Sequence, residues 1–377
     1  MKTIIRLKRI YLLSLIPFSI VLLLLAKRSS FFAEQVFSLH IYKWLSQIIS
    51  FLTGLIPISL AEILIFTLPA IGLVLLLRFL IRIISGKGNR KEIAARGIIN
   101  TFCIVSVVLF SFTILAGINY YRYPFSYYSG LEIRESSEDE LYAMTKELAE
   151  KADELRKLVP ETDVDGVFKL SESNYKLADL ADEAMEQLST EYPVLKGFYG
   201  APKPVLLSSV MSYTEITGIF VPFTMEANVN VHIPDYTIPA TMLHELAHLR
   251  GFMREDEANF IAYLAGMSSD QVELQYSSTM LALVISGNAL YKQDNDLYFT
   301  VRELYSEEVR RDIRANSMYW VKYEDTVIST VSNKVNDTYL KANDQKDGVK
   351  SYGRMVDLLL AKYRKENLQP DIDASKE

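Results

Sequence analysis

Three long apolar runs in the first third of the chain limit what it can fold into. A helix needs roughly 20 apolar residues to cross the hydrocarbon core of a bilayer, and such runs cover residues 11–26, 59–79 and 97–120. The first run follows a basic start, as in a signal peptide, but it ends at Ala26, Lys27 and Arg28 without a small-x-small cleavage pattern. We therefore expect a membrane domain over residues 1–122, with three spanning helices and an uncleaved anchor.

Basic residues predict the orientation of these spans. They form one group before the first run and another between the second and third: Lys2, Arg6, Lys8, Arg9, Arg82, Lys87, Arg90, Lys91 and Arg96. Because short loops rich in Lys and Arg stay in the cytoplasm, we expect a multi-pass protein of the cell membrane with a cytoplasmic N-terminus and an extracellular part after Arg122. The aromatic outer loop, residues 31–57, is expected to lie along the membrane as an interfacial helix, with a re-entrant loop as the alternative.

Charge and cysteine content exclude two classes of protein. Residues 1–122 hold 14 Lys/Arg and 3 Asp/Glu, whereas the remainder holds 26 and 43, a net charge of −17. Such an acidic part would repel phosphate backbones, so no nucleic-acid partner is expected. Cys103, the only cysteine, lies in the third run. The exported part therefore cannot use disulfides, which suits a bacterial surface protein and excludes the disulfide-rich secreted class.

The pattern after residue 122 predicts an α+β fold in two parts. In a helical neck and scaffold, residues 123–200, Ser137 and Glu140 form a capping-box pattern for a helix that Pro160 ends, and a second helix stops at Pro193. A catalytic domain, residues 201–367, begins with a small sheet and is mostly helical after Gly266. The sheet of this domain is expected to have three short strands, over 204–210, 217–224 and 227–234. A disordered tail is expected over 368–377. Alternating apolar and polar residues give the third strand one buried face.

The stretch that carries chemistry is an HExxH sequence. His244 and His248 are four residues apart on a predicted helix, so both imidazoles leave the same face and can bind one Zn²⁺. Glu245 is rotated by about 100° and can reach a zinc-activated water as general base without ligating the metal. A buried helix whose histidines are merely hydrogen-bonded is the alternative.

A third ligand requires a turn in the chain. On a continuous helix Glu255 would lie roughly 10 Å beyond His248, because each residue adds about 1.5 Å. Gly251 can adopt the left-handed conformation that ends a helix, so that a second helix starting near Arg254 returns to the metal. Glu255 and Glu257 point in different directions there. We prefer Glu255, because Asn259 would then share its face and orient a ligand.

HExxH followed by E-x-x-A-N resembles the gluzincin-type zincin metallopeptidases. The match falls on six positions: His244, Glu245, His248, Glu255, Ala258 and Asn259. Only six residues separate His248 from Glu255, fewer than is usual in that group, and Gly251 is similar to the turn of metzincins, although Arg254 stands in place of their third His. Three longer stretches, residues 217–236, 244–265 and 339–361, resemble the bacterial membrane family catalogued as domain of unknown function 3810. That resemblance implies a zincin-like peptidase and no particular substrate.

These patterns favour a membrane-anchored zinc metallopeptidase that acts on a protein or peptide at the cell surface. Extended substrate would bind an edge strand, with residues 218–224 as the first candidate and 227–233 as the second. Tyr352 and Arg354 are candidate oxyanion donors, and His232 is expected to face its own sheet rather than the metal. Two alternatives remain, namely a zincin-fold surface sensor or scaffold with weak turnover, and a zinc hydrolase of a cell-envelope amide.

Overall fold

The computed structural model describes residues 8–85, 89–159, 162–343 and 354–367, which form helices around one small sheet. The α-helices are α1 (Leu15–Arg28), α2 (Lys43–Gly54), α3 (Leu60–Ile84), α4 (Arg90–Leu115), α5 (Phe125–Ser129), α6 (Glu138–Arg156), α7 (Asn174–Glu191), α8 (Ser208–Ser212), α9 (Ile238–Leu249), α10 (Glu255–Ser268), α11 (Val272–Gln293), α12 (Asn295–Glu303), α13 (Glu307–Trp320), α14 (Val327–Ala342) and α15 (Met355–Asn367). A π-helix covers Phe32–Tyr42, and 3-10 helices cover Lys8–Ser14, Gly117–Tyr121, Pro193–Leu195 and Asp235–Thr237. The strands are β1 (Lys203–Pro204), β2 (Gly218–Val221) and β3 (Glu226–Val229).

Three of these helices are long and apolar enough to cross a membrane. They cover Arg9–Arg28, where α1 extends the preceding 3-10 helix, together with Leu60–Ile84 and Arg90–Leu115. The expected three spans are therefore confirmed as membrane-length helices. The third begins earlier than expected and stops at Leu115 instead of residue 120, because Ala116 leaves the helical conformation (φ −150°, ψ −49°).

The membrane-length helices place three of their ends on one side. α1 and α4 run parallel, since the Cys103 thiol contacts the Arg9 carbonyl at 3.3 Å and the rings of Phe18 and Phe110 stack at 5.8 Å. α3 and α4 pack against each other in antiparallel directions, since Phe79 near the end of α3 lies beside Gly97 near the start of α4. The C-terminal ends of α1 and α4 therefore lie beside the N-terminal end of α3, and the rest of the chain is attached to that side.

The outer loop does not lie along a surface over its whole length. Its first half, Phe32–Tyr42, is a π-helix that buries Glu34, Phe37, Ser38 and Tyr42 in the core. The expectation of an interfacial helix over residues 31–57 is wrong for this half, because the Glu34 carboxylate pairs with a buried guanidinium in the body of the protein. α2 presents an apolar face that includes the exposed Trp44, and the first half leaves Val36 and Ile41 exposed on the side opposite its buried residues.

The sheet has the order β1-β3-β2, so β2 is an edge strand. β1 pairs with β3 in parallel and β2 pairs with it antiparallel, with Gly218 opposite Val229 and Val221 opposite Glu226. β3 is buried on both faces, with α9 packed against it, so the expected alternation of buried and exposed residues is wrong.

The strand expected over residues 204–210 is also wrong, because Pro204 ends β1 and α8 follows. The backbone N–H groups of Leu206 and Leu207 donate to the Glu62 carboxylate at 3.0 and 2.8 Å and are lost to the ladder. β3 likewise stops at Val229 instead of residue 234. There the Asn230 side chain donates to Ser212 Oγ and the Ile216 carbonyl.

The two scaffold helices form as expected and join the core around the HExxH helix. Ser137 and Glu140 make both hydrogen bonds of the capping box that starts α6. α6 packs against α11, and α7 packs against α9 and α10. Chain regions far apart in sequence thus surround α9 and α10 on several sides.

Candidate metal centre

A sharp turn connects the two helices that carry the predicted ligands. α9 ends at Leu249, Gly251 adopts φ +89°, and α10 begins at Glu255. The Gly251 N–H donates to the His248 carbonyl at 2.8 Å, which closes the helix in the manner of a left-handed C-terminal cap. The turn expected from Gly251 is therefore present, and it reverses the chain within six residues.

Buried groups from the N-terminal third pack against this turn. The Tyr42 hydroxyl donates to the Leu249 carbonyl at 3.0 Å, and Arg122 donates to the Arg250 carbonyl at 3.2 Å. Arg122 also makes a bidentate ion pair with Glu34, at 2.8 and 2.6 Å, with both side chains buried. These contacts satisfy carbonyls at the end of α9 that would otherwise lack partners.

The turn brings His244, His248 and Glu255 together. Their ligand atoms lie within 4.8 Å of one another, and the imidazole rings are perpendicular with centroids 4.6 Å apart. Glu255 Oε2 lies 3.2 Å from His244 Nε2, and its Oε1 lies 3.7 Å from His248 Nε2. One carboxylate thus faces the same nitrogen of both rings.

The other nitrogen of each ring is already engaged. His244 Nδ1 lies 2.8 Å from Asn259 Oδ1, and His248 Nδ1 lies 2.7 Å from the Phe252 carbonyl oxygen. Both acceptors hold a proton on Nδ1, so Nε2 is the nitrogen of each ring that faces Glu255 and is available to a metal ion. Asn259 therefore has the orienting place that the sequence predicted for it.

Electrostatics in the cluster favour a cation. Burial alone would raise the pKa of Glu255, but His248 and His244 hold it well below its ordinary value. Burial alone would lower the pKa of His248, but Glu255 outweighs it and raises the pKa to about 9. A protonated imidazole accordingly neutralises the buried carboxylate, and a metal ion that binds here would displace that proton.

Glu245 lies on the adjoining side of α9, beneath the edge strand. Burial raises its pKa, against the opposing effect of His244 and His248, and the Phe220 backbone N–H is bonded to its carboxylate. Its Oε2 is buried and has no hydrogen-bond partner in the described part of the chain. A Cβ on Gly218 would lie 2.5 Å from Glu245 Oε1, so only glycine lets β2 approach so closely.

Comparison with known proteins gives a family match. The model of a family described as protein of unknown function (DUF3810) matches residues 37–360, most of the chain. This chain belongs to the DUF3810 family. No curated protein and no solved structure matches it.

In this DUF3810 member the remaining candidate residues lie away from the cluster. Glu257 is buried and accepts from the Phe125 backbone N–H at 3.0 Å, with Arg254 at 3.1 Å. His232 is exposed beyond the end of β3, with Nδ1 2.9 Å from the Tyr319 hydroxyl. Arg354 lies 3.7 Å from Asp256, while Tyr352 and the tail over residues 368–377 fall outside the described residues. Of the two candidate third ligands, the fold brings Glu255 to the histidines.

Sequence patterns did not identify the groups that hold this DUF3810 site in place. Tyr42, Glu34 and Arg122 act on the turn from positions more than a hundred residues before it, and no local motif marks them. Gly218 did carry a signal, since a glycine at the start of a strand often marks a close approach.

Proposed function

We propose that this protein is a zinc-dependent metallopeptidase that is anchored in the cell membrane by α1, α3 and α4 and hydrolyses peptide bonds outside the cytoplasm. One observation carries the proposal. Two imidazole Nε2 atoms and the Glu255 carboxylate converge within 4.8 Å, next to the buried carboxylate of Glu245. This is the ligand set and general base that the HExxH pattern requires.

The donor set suits zinc. Ligand atoms about 2 Å from a tetrahedral Zn²⁺ lie roughly 3.3 Å from one another. Here one Glu255 oxygen lies 3.2 Å from His244 Nε2 and the other lies 3.7 Å from His248 Nε2, and the three ligand atoms of the set lie within 4.8 Å of one another. Two neutral imidazoles and one carboxylate are also the protein ligands of many catalytic zinc sites, which keep a further position open. His244, His248 and Glu255 would hold the ion.

Zn²⁺ held in this way supplies a Lewis acid and lowers the pKa of a water molecule to about 7. The remaining chemistry belongs to Glu245. Its carboxylate is buried, and Oε2 has no hydrogen-bond partner in the described part of the chain, so it can accept a proton from a nearby water. In the proposed reaction Oε2 takes the proton of the attacking water and passes it to the leaving amide nitrogen.

The edge strand gives this chemistry a place for substrate. β2 has β3 on one side only, and its open edge can pair with an extended peptide. Because Gly218 and Phe220 both touch Glu245, a peptide added along β2 would pass close to the general base. This supports the first of the two expected substrate strands.

The proposed location rests on the positive-inside rule. Arg9, Arg82 at the end of α3 and Arg90 at the start of α4 lie at the same end of the helix group, opposite the body that carries the site. With that basic end in the cytoplasm, the site lies outside. Protease added to intact cells, stripped of any outer membrane, should then remove residues after Arg122; full protection would contradict this orientation.

The function is tested on the full-length protein in detergent. We expect one zinc per chain by elemental analysis, none in His244→Ala, and a full complement in Glu245→Gln. A degenerate library of quenched-fluorescent peptides should be hydrolysed by the parent protein, and Glu245→Gln should lose about 10²–10⁴-fold in rate.

Three outcomes would contradict the proposal. Purified protein without stoichiometric metal would contradict the assignment of a zinc site. Equal rates of hydrolysis by the parent and Glu245→Gln would contradict the assignment of Glu245 as general base. A fully zinc-loaded protein that cleaves no member of the library would favour a sensor or scaffold instead.

A further inference from the structure

Helix α14 carries an apolar stripe that packs against nothing in the described part of the chain. With about 100° of rotation per residue, four exposed apolar side chains form this stripe within an arc of about 100°: Val327, Ile328, Val331 and Val335. Val327 is 82% exposed and Val335 63%. Lys334 and Lys341 lie at one edge of this stripe. An apolar stripe bordered by lysines is typical of helices that lie in the membrane interface.

Another face of α14 fixes the helix to the body. Ser332 donates to the Thr214 carbonyl at 2.8 Å, and Asn333 donates to Glu215 at 2.8 Å. Ser329 and Leu340, which share that face, are buried. The direction of the apolar stripe is therefore set by contacts on a different side of the helix.

Two contacts place this surface at the level of the membrane-length helices. At the C-terminal end of α14, next to the stripe, Tyr339 packs on Phe112 in the last turn of α4, with ring centroids 6.1 Å apart. Near its other end, Thr214 follows a second exposed apolar group, Leu206, Leu207 and Val210. Leu206 and Leu207 are bonded to Glu62 in the first turn of α3. The last turn of α4 and the first turn of α3 lie on the same side of the helix group.

We propose that the apolar stripe of α14, together with Leu206, Leu207 and Val210, is seated in the headgroup layer of the lipid bilayer that the three long helices cross. The occupant is lipid because the surface is continuous with the ends of helices of membrane length.

This placement implies a substrate class, a step that rests on the proposed peptidase function. Thr214 and Glu215, which hold α14, lie three to four residues before β2, and β2 begins at Gly218 beside Glu245. The open edge of β2 is thus close to the membrane surface. The expected substrates are polypeptides that are themselves attached to the membrane, cut near the point where they leave it.

The docking surface is tested with fluorescent labels on the full chain in lipid nanodiscs. In a Cys103→Ser background, Val331→Cys and Val335→Cys carry an NBD label on the stripe. Thr330→Cys and Lys334→Cys, each the preceding residue in the chain, are the matched controls at the same position along the helix. We expect doxyl-labelled lipid to quench the first pair, and aqueous iodide to quench the second pair at least about threefold more strongly than the first.

Either of two results would overturn the docking proposal. Equal quenching of all four labels by iodide, without an effect of doxyl lipid, would show that α14 stands in water. Protection of the stripe from both quenchers would show that a second copy or another protein covers it.

The substrate class is tested by supplying one degenerate peptide library in two forms, free and with an N-terminal palmitoyl chain. Confinement to the disc raises the effective concentration, so we expect Glu245-dependent hydrolysis of the lipidated form to be about tenfold faster or more. Val331→Asp with Val335→Asp should reduce only that advantage. Equal rates for both forms would overturn the substrate class and leave the peptidase standing. Hydrolysis of neither form by zinc-loaded protein would overturn the peptidase, while the labels still decide the docking.

Discussion

Replacing Gly251 by alanine tests the turn that brings Glu255 to the histidines. At φ +89° an alanine is strained by about 1–2 kcal/mol. Its Cβ would also lie 2.9 Å from Tyr42 Cε1 and 3.0 Å from Arg122 Nη1. Neither neighbour can swing away, because Tyr42 is bonded to the Leu249 carbonyl and Arg122 to Glu34. Overpacking of this kind adds about 1–3 kcal/mol, for a total loss of about 2–5 kcal/mol in the free energy of unfolding.

Gly130 provides a matched control for this substitution. It also has a positive φ, +62°, but a Cβ there would meet no heavy atom within 4 Å. Gly130→Ala should therefore show the backbone strain alone, about 1–2 kcal/mol. The difference between the two variants isolates the contact with Tyr42 and Arg122.

Thermal unfolding and zinc affinity measure the two consequences separately. Gly251→Ala should unfold several degrees below Gly130→Ala, since about 1 kcal/mol shifts the midpoint by roughly 2–4 °C in a body of this size. In competition with a chromophoric chelator, Gly251→Ala should bind zinc at least about tenfold more weakly. A loss of about 1.4 kcal/mol in binding free energy, caused by the displaced Glu255, corresponds to tenfold. Gly130→Ala should bind as the parent does.

The reasoning fails in either of two cases. Equal losses of stability in the two variants would mean that Tyr42 and Arg122 yield to the new methyl group. A Gly251→Ala protein that unfolds early but binds zinc as tightly as the parent would mean that the turn does not position Glu255.

Four further substitutions test the site itself. Glu255→Gln should lower zinc affinity by at least about tenfold in the same chelator competition, whereas Glu257→Gln should leave it unchanged; equal effects would contradict the ligand assignment. Asn259→Ala should lower zinc affinity by about 10–100-fold, because it removes the hydrogen bond that orients His244. An affinity equal to the parent's would contradict this role of Asn259. Gly218→Ala should retain zinc but slow peptide hydrolysis, because its Cβ would displace β2 from the Glu245 carboxylate; full activity would show that this approach is not needed.

Sequence patterns predicted the features that depend on a few neighbouring residues, such as helix starts, turns and long apolar helices. The capping box of Ser137 and Glu140 starts α6 because the two residues satisfy each other's backbone groups within one turn. Gly251 indicated the reversal after the HExxH helix because a positive φ is a property of one residue. Length and apolarity alone indicated the three membrane-length helices.

Features that depend on distant partners were not predictable in this way. The aromatic loop that contains Glu34 has the composition of an interfacial helix, but a partner 88 residues later draws its first half into the core. Likewise the β-favouring stretch after Pro204 leaves the sheet because Glu62, more than 140 residues earlier, takes its backbone N–H groups. Composition carries no information about which residue will supply such a bond.

The buried pair of Glu34 and Arg122 bears on whether cleavage could release the body from its membrane helices, because both residues precede residue 123. A fragment that starts at residue 123 lacks Glu34, Tyr42 and Arg122 together. Tyr42 and Arg122 bond the last carbonyls of α9 and pack against Gly251, and Glu34 holds Arg122 in place. Shedding that fragment from its helices would release a protein with a loosened turn and a displaced Glu255. We therefore expect the metal site to stay intact only in a chain that keeps its membrane helices.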